Sequence, residues 1–161
     1  MRLNINVVWG SDLQTTVSKP IIFEGIGLHK GVCSKLVVLP ASIDSGICFK
    51  RIDVKAGNKF IAAVLDNVVD SELCTRLANS EGVSVSTIEH LMAALTGCGI
   101  NNAVIEIDGP EVPILDGSAL AFVKEILKAG IKLQRQSLKA IRILKTVKHK
   151  HGLAWAEFQP S

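Results

Sequence analysis

The first half of the chain is dominated by short runs of β-type residues, many of them apolar or β-branched, as expected of β-strands. Gly, Asp, Asn and Pro residues separate the runs, as they do at turns. The pattern predicts strands at residues 15–23, 35–39, 47–51 and 60–69, and a further strand at 103–108 that ends in an Asp-Gly-Pro turn. Strands therefore account for most of the first half.

Two segments change to a helical period. Residues 86–97 place Ile88, Leu91, Met92 and Leu95 at i, i+3, i+4 and i+7. This segment opens with Ser-Thr-Ile-Glu, the pattern of a capping box, and is predicted to close at Gly97 or Gly99 in a left-handed C-cap. A second helix is predicted at 118–129, with an apolar face made of Ala119, Phe122, Val123, Ile126 and Leu127.

The order of elements is strands, helix, strand, helix, which provides too few helices to cover both faces of a parallel sheet. We therefore predict an α+β fold, a two-layer sandwich of a mostly antiparallel sheet with two main helices, over residues 14–131. Residues 1–13 are predicted to be an N-terminal extension and residues 132–139 a polar linker. Residues 140–161 contain two strand-like runs joined by a turn at 149–152, and are predicted to begin a second, similar domain that is incomplete.

Composition and charge exclude several classes of protein. A chain of 161 residues that is 48% apolar and 20% charged can bury a core and is not disordered. The net charge of +3 comes without a basic run, so nucleic acid is not an expected partner. Neither a signal peptide nor an apolar run of about 20 residues is present, so no transmembrane segment is expected and the cytoplasm is the expected location.

The segment 86–91 carries the strongest chemical signal, because Glu89 and His90 occupy the first turn of the predicted helix. Adjacent helical positions diverge by about 100°, so the two side chains cannot pair but can reach one object outside the helix. The positive end of the helix dipole favours ionised Glu89 and neutral His90, and neutral imidazole is what a metal requires. Zinc with a nearby carboxylate activates water. The alternative is an ordinary capping box followed by a structural histidine.

Several segments, in the same order along the chain, resemble those of the UDP-3-O-acyl-N-acetylglucosamine deacetylases of lipid A synthesis in Gram-negative bacteria. They are GIGLHKG at 25–31, ELCTRLAN at 72–79, STIEHLMAAL at 86–95, GINNAVIEIDGPEVPILDGSA at 99–119 and WAEFQP at 155–160. The resemblance runs from about residue 14 to the C-terminus. It implies a zinc-dependent hydrolase that removes the 2-acetyl group as acetate and leaves a free amine.

The resemblance also implies roles for residues. His90 would be one of three protein ligands to zinc, and Glu89 the general base that activates the attacking water. The other two ligands, in a His-Lys-x-x-Asp motif, and the acid that protonates the amine belong to the second domain of the family. That motif is absent here, since His149-Lys150 begins like it but Leu153 stands where the Asp is required.

Weaker signals remain open between two interpretations. Leu73, Cys74 and Thr75 match residues that line the substrate cleft in the family, or they form a buried strand. Asp116 matches an acidic residue near the family's active site, or is a capping or turn aspartate. His29 matches a family histidine, or is a turn residue.

Two histidines near the end of the chain raise a separate question. His149 and His151 would face the same way on a strand and could hold a stray metal ion, or they form a solvated turn.

Two functions of different class are compatible with the sequence. The first is the N-terminal half of a zinc-dependent deacetylase acting on UDP-3-O-acyl-N-acetylglucosamine, inactive without a C-terminal domain. The second is a non-catalytic binding or interaction module, a truncated pseudoenzyme that retains the fold. The first would have that substrate and the absent C-terminal domain as its partners.

Overall fold

The computed structural model describes residues 12–139 and 141–160, so the predicted N-terminal extension lies outside it up to residue 11. The two α-helices of these ranges are α1 (Glu89–Gly97) and α2 (Leu120–Ala129), and a 3-10 turn covers Leu65–Asn67. The strands are β1 (Leu13–Val17), β2 (Ile21–Ile26), β3 (Cys33–Pro40), β4 (Ile47–Arg51), β5 (Phe60–Ala62), β6 (Val68–Val69), β7 (Arg76–Ala78), β8 (Ser84–Ser86), β9 (Ala103–Ile107), β10 (Ile131–Ser137), β11 (Val147–His151) and β12 (Ala154–Phe158).

The main sheet has five strands in the order β2-β3-β9-β4-β5. Every neighbouring pair is antiparallel except β4 and β9, which are parallel. Alternate residues of the central strands, such as Leu36, Val38, Ile105 and Ile107, are fully buried. They share one core with the apolar faces of both helices, where the ring of Phe122 lies 4.8 Å from that of Phe23. The predicted α+β fold is confirmed.

Among the described residues three smaller sheets accompany the main one, and two of them lie within residues 13–137. Strands β6, β7 and β8 form an antiparallel sheet that leads directly into α1. Strands β1 and β10, the first and last strands of residues 13–137, pair with each other in an antiparallel two-stranded sheet. No helix among the described residues is long and apolar enough to cross a membrane.

The start of α1 differs from the prediction. Ser86 belongs to β8, where its amide and hydroxyl both donate to the carbonyl of Pro110, and no side chain caps the helix. Pairing of β8 with β7 holds Ser86 in an extended conformation, and Thr87 then takes a left-handed φ of 58°. The predicted capping box is therefore wrong, and the helix begins three residues later, at Glu89.

The end of α1 agrees with the prediction. Gly99 has a φ of 74°, and its amide donates to the carbonyl of Thr96 at 2.9 Å. The amide of Ile100 donates to the carbonyl of Leu95 at 2.8 Å. These two bonds form a Schellman motif, which requires the left-handed conformation that glycine adopts without strain.

Three predicted segments are corrected. Residues 15–23 form two strands, β1 and β2, because the chain bends at Ser18 and Lys19 and continues in a different sheet. Residues 60–69 form β5, the 3-10 turn and β6. Residues 132–139 were predicted to be a linker, but most of them form β10, whose Ile131 pairs with Val17. The domain boundaries remain a prediction.

The predicted C-terminal hairpin is present, with a different turn. His149 and His151 lie within β11, opposite Ala156 and Ala154, so the solvated turn predicted at 149–152 is wrong for them. The turn consists of Gly152 and Leu153, and Gly152 has a φ of 58°. A glycine with positive φ suits the first position of a two-residue hairpin turn, which places the turn after the histidines.

Candidate active site

Glu89 is the first residue of α1, and its carboxylate is held against the neighbouring loop. Oε1 of Glu89 accepts a hydrogen bond from the backbone amide of Thr75. Burial, the largest single influence, raises the pKa of the Glu89 carboxyl, but its own amide, Thr75 and the nearby His90 outweigh burial, so that this pKa lies below its ordinary value. Glu89 is therefore ionised at neutral pH, the state that can accept a proton.

His90 follows Glu89 and is partly exposed. Across residues 12–139 and 141–160, its ring makes no hydrogen bond or salt bridge to a protein group, so no described residue occupies the ring nitrogens. The same ranges contain no group of three or more His, Cys, Asp or Glu residues placed to hold a metal ion. In donor chemistry His90 fits one position of a zinc site, but the described residues do not complete the set.

Leu73, Cys74 and Thr75 lie in the loop before β7, beside Glu89. Leu73 is 93% exposed with a φ of 58°, so these residues do not form a buried strand. The backbone of Thr75 is fully engaged, since its amide donates to Glu89 and its carbonyl accepts from the amide of Thr87 at 3.0 Å. Ser71 fixes the same loop by donating its hydroxyl to the carbonyl of Cys74. The structure thus brings Thr75, at the end of this loop, into contact with Glu89.

His29 lies in the turn 27–31 between β2 and β3, with its side chain exposed. Its backbone amide donates to the carboxylate of Glu111 at 2.9 Å, and the amide of Lys30 donates to the same carboxylate at 2.8 Å. Thr87, two residues before Glu89, donates its hydroxyl to that carboxylate at 2.7 Å. Glu111 therefore connects the segment that contains His29 with the segment that contains Glu89.

Glu111 is not among the residues predicted from the sequence. Its side chain is only 1% exposed. Burial, the largest influence, raises the pKa of Glu111, but the hydrogen bonds from His29, Thr87 and Lys30 and the charge of His29 outweigh it, and the pKa lies below its ordinary value. The available signal was a single acidic residue between Pro110 and the apolar Val112.

Asp116 lies in the turn before α2 and is exposed. Its Oδ1 accepts from both the amide and the hydroxyl of Ser118 at 3.0 Å, and the hydroxyl of Ser118 accepts from the amide of Leu120. These contacts are those of a turn aspartate. In the described part of the chain no hydrogen bond links Asp116 to Glu89 or His90.

His149 and His151 are exposed and share one face of β11, since residues two apart on a strand point the same way. Within the described residues no third ligand accompanies them. Strands β11 and β12 pair only with each other, so the hairpin does not extend the sheets that carry the other candidate residues.

Comparison with known proteins identifies the family. A family model described as UDP-3-O-acyl N-acetylglycosamine deacetylase matches residues 14–161. The chain belongs to this family. The resemblance carried by the sequence motifs is thereby confirmed.

Curated members of the family align with most of this chain. UDP-3-O-acyl-N-acetylglucosamine deacetylases of Shewanella frigidimarina and Shewanella denitrificans are each 46% identical to it over 147 residues. That of Shewanella pealeana is 45% identical over the same length. Each alignment covers 91% of this chain but 48% of the relative, so the chain spans about half the length of these deacetylases.

Proposed function

We propose that this chain supplies the general base and one zinc ligand for removal of the N-acetyl group from UDP-3-O-acyl-N-acetylglucosamine in lipid A biosynthesis. Membership of the deacetylase family and the names of its relatives support the reaction class and the substrate. The observation that carries the assignment of residues is the start of α1, where an ionised, anchored Glu89 adjoins an accessible His90.

Zinc, when bound, would polarise the acetamide carbonyl and lower the pKa of a water molecule, and His90 is the residue of this chain that would hold it. Thr75 restrains one carboxylate oxygen of Glu89 through its amide, which limits the directions in which the base can point. Glu89 would accept a proton from the attacking water. The oxygen of that water joins the acetyl carbon, the carbon-nitrogen bond breaks, and acetate and a free amine result.

The remaining parts of the site are proposed to lie in the half of the family proteins that this chain does not span. Catalytic zinc sites use three protein ligands, and the described residues contain no cluster of that size. An acid for the leaving amine is needed as well. We expect no measurable deacetylation by the chain alone, because members of a catalytic unit act together and the loss of several leaves almost nothing.

Leu73, Cys74 and Thr75 are proposed to line the substrate cleft. The position of 73–75 beside Glu89 supports this proposal, and the exposure of Leu73 leaves an apolar side chain available to an acyl group or to another part of the protein. Asp116 is proposed to act chiefly as a turn residue, in view of its contacts with Ser118.

The second candidate function is a non-catalytic binding module. The residues that the structure describes do not provide a complete set of metal ligands, and a binding module would not need one. A binding module would recognise the nucleotide sugar without hydrolysing it, even when the other half of the family protein is supplied.

The experiment that separates the two candidates fuses this chain to the part of the Shewanella frigidimarina relative that lies outside the match. Acetate release from UDP-3-O-acyl-N-acetylglucosamine is then measured with zinc, for wild type and for Glu89→Gln. The deacetylase proposal predicts turnover by the fusion that falls at least about a hundredfold in Glu89→Gln, within the range expected for loss of a general base. Equal turnover by both proteins would refute the role of Glu89, and absence of turnover with retained substrate binding would support the binding module.

A further inference from the structure

The buried carboxylate of Glu111 is a feature that the proposed reaction does not use. A buried carboxylate is costly unless its charge is compensated by hydrogen bonds. Three donors compensate it here, the amides of His29 and Lys30 and the hydroxyl of Thr87, at 2.7 to 2.9 Å. None of these donors is a cationic side chain, so the carboxylate is held by the positions of two chain segments.

The backbone of Glu111 is itself fixed. Ser34 donates its hydroxyl to the carbonyl of Glu111 at 2.8 Å. Ser86 exchanges hydrogen bonds with both neighbours of Glu111, since its amide donates to the carbonyl of Pro110 and its carbonyl accepts from the amide of Val112. The carboxylate thus starts from a rigid point next to the end of β8.

The turn 27–31 is shaped to receive this carboxylate. A Cβ atom at Gly27 would lie 2.4 Å from Oε2 of Glu111, so no side chain fits there while the carboxylate stays in place. Further along the turn, the backbone amides of His29 and Lys30 donate to the two carboxylate oxygens of Glu111. The turn and the carboxylate are therefore complementary in shape and in hydrogen bonding.

On its other side the carboxylate reaches the start of α1 through Thr87. Thr87 has a left-handed φ of 58°, which a β-branched residue adopts only when its surroundings hold it there. Its hydroxyl donates to Glu111, and its amide donates to the carbonyl of Thr75. The amide of Thr75 in turn donates to Glu89. A continuous series of hydrogen bonds thus joins Glu111 to Glu89.

We propose that Glu111 is a positioning residue that holds the turn 27–31 and the start of α1 in a fixed relation, and thereby keeps the carboxylate of Glu89 on the amide of Thr75. The importance of this arrangement for catalysis rests on the proposed function. The arrangement itself can be tested in the chain alone, without any deacetylation, so that failure of one proposal is distinguishable from failure of the other.

Amide hydrogen exchange of the 161-residue chain, resolved by NMR, is the test. Glu111→Gln turns one carboxylate oxygen into a donor that opposes an amide, and Thr87→Val removes the hydroxyl while keeping a branched side chain. We expect the Thr75 amide to exchange at least about tenfold faster in both variants, approaching the rate measured in Glu89→Ala, because a loosened contact opens more often.

Two controls separate positioning from general loosening. Thr87→Ser keeps the hydroxyl and should leave the exchange rate of Thr75 within about twofold of wild type. Ile126→Val, in the buried face of α2, removes one buried methyl group, which lowers overall stability, and should also leave that rate unchanged. Thr75 exchange that stays at the wild-type rate in Thr87→Val, or that rises as much in Thr87→Ser, would overturn the proposal, and this pair of variants decides it even if Glu111→Gln does not fold.

Discussion

Glu89 shows that a sequence pattern can place a residue in a helix without identifying its structural partner. In a Ser-x-x-Glu capping box, the carboxylate of Glu89 would accept a hydrogen bond from the backbone amide of Ser86. In the structure it accepts one from the backbone amide of Thr75 instead. The sequence could indicate that a carboxylate and an imidazole lie at a helix start, because that depends on local spacing. Its partner Thr75 lies in the loop before β7, 14 residues earlier in the chain, which no local pattern specifies.

The structural role of Glu89 leads to a first prediction. Glu89→Ala should lower the free energy of unfolding by about 1 to 2 kcal/mol, because the amide of Thr75 loses a charged acceptor. Glu89→Gln should cost less than about 1 kcal/mol, since its amide oxygen can still accept that bond. Urea unfolding at pH 7 measures both, and an Ala variant as stable as wild type would show that the Glu89 to Thr75 contact does not stabilise the fold.

A second prediction concerns the pH dependence of Glu111. Because its folded-state pKa lies below the ordinary value, Glu111 stabilises the protein above the unfolded-state pKa of about 4.3, and this contribution is lost as pH falls through the folded-state pKa. The difference in unfolding free energy between wild type and Glu111→Gln should be roughly 1.5 to 3 kcal/mol at pH 7 and should shrink toward pH 3. Taking the difference between the two proteins removes the contribution that the other acidic groups make to the pH dependence of the unfolding free energy. A difference that is constant between pH 7 and pH 3 would contradict this role.

A third prediction uses two glycines with opposite surroundings. Gly27→Ala places a Cβ atom 2.4 Å from the buried Glu111 carboxylate and should destabilise the fold by about 1 to 3 kcal/mol. Gly97→Ala, at the end of α1 with nothing within 4 Å of its Cβ atom, should be neutral or stabilise by up to about 1 kcal/mol. Thermal or urea unfolding of the two variants checks this, and equal effects would argue against the tight approach at Gly27.

Among the elements, those whose signals are local were predicted well and those that depend on distant partners were not. The glycine after α1 marks its end, and the short apolar run that begins at Ile47 marks β4, which has the predicted bounds 47–51. Residues 132–139 have the composition of a linker, yet β10 forms there because β1 supplies a partner from the other end of the described chain. Buried Asn102 reinforces that pairing by donating to Gln14 and Gln134 at 2.8 and 2.7 Å.

The fourth prediction distinguishes a strand from a linker in this segment. A chain shortened after Lys139 should keep a cooperative melt close to that of the full chain, because β11 and β12 pair only with each other. A chain shortened after Gly130 loses β10, which is the paired strand of β1, and also loses the Gln134 partner of buried Asn102, so its melt should shift strongly downward or lose cooperativity. Equal melting of the two shortened chains would mean that β10 contributes nothing to the fold.

For the whole molecule, the candidate site was only partly predictable. The residues of one helix turn and one loop, Glu89, His90 and Thr75, lie in motifs that the sequence displays directly. Glu111 could not be assigned a role, because its donors are 24 and about 80 residues away and become neighbours only when the strands pair. The metal ligands are also distant from one another in sequence, because the full ligand set is proposed to extend beyond this chain.

The fifth prediction is also the most direct test of the central claim, that this chain holds one zinc ligand of a shared site. Equilibrium dialysis at about 1 nM free zinc selects sites with a binding free energy near 12 kcal/mol, the range of complete protein ligand sets. The measurement uses His149→Ala/His151→Ala, so that the paired histidines of β11 cannot contribute, with and without His90→Ala. We predict less than about one tenth of an equivalent of zinc in either protein, because a single imidazole is not a complete site. One equivalent bound tightly, and lost in His90→Ala, would contradict the account and show that this chain completes a zinc site of its own.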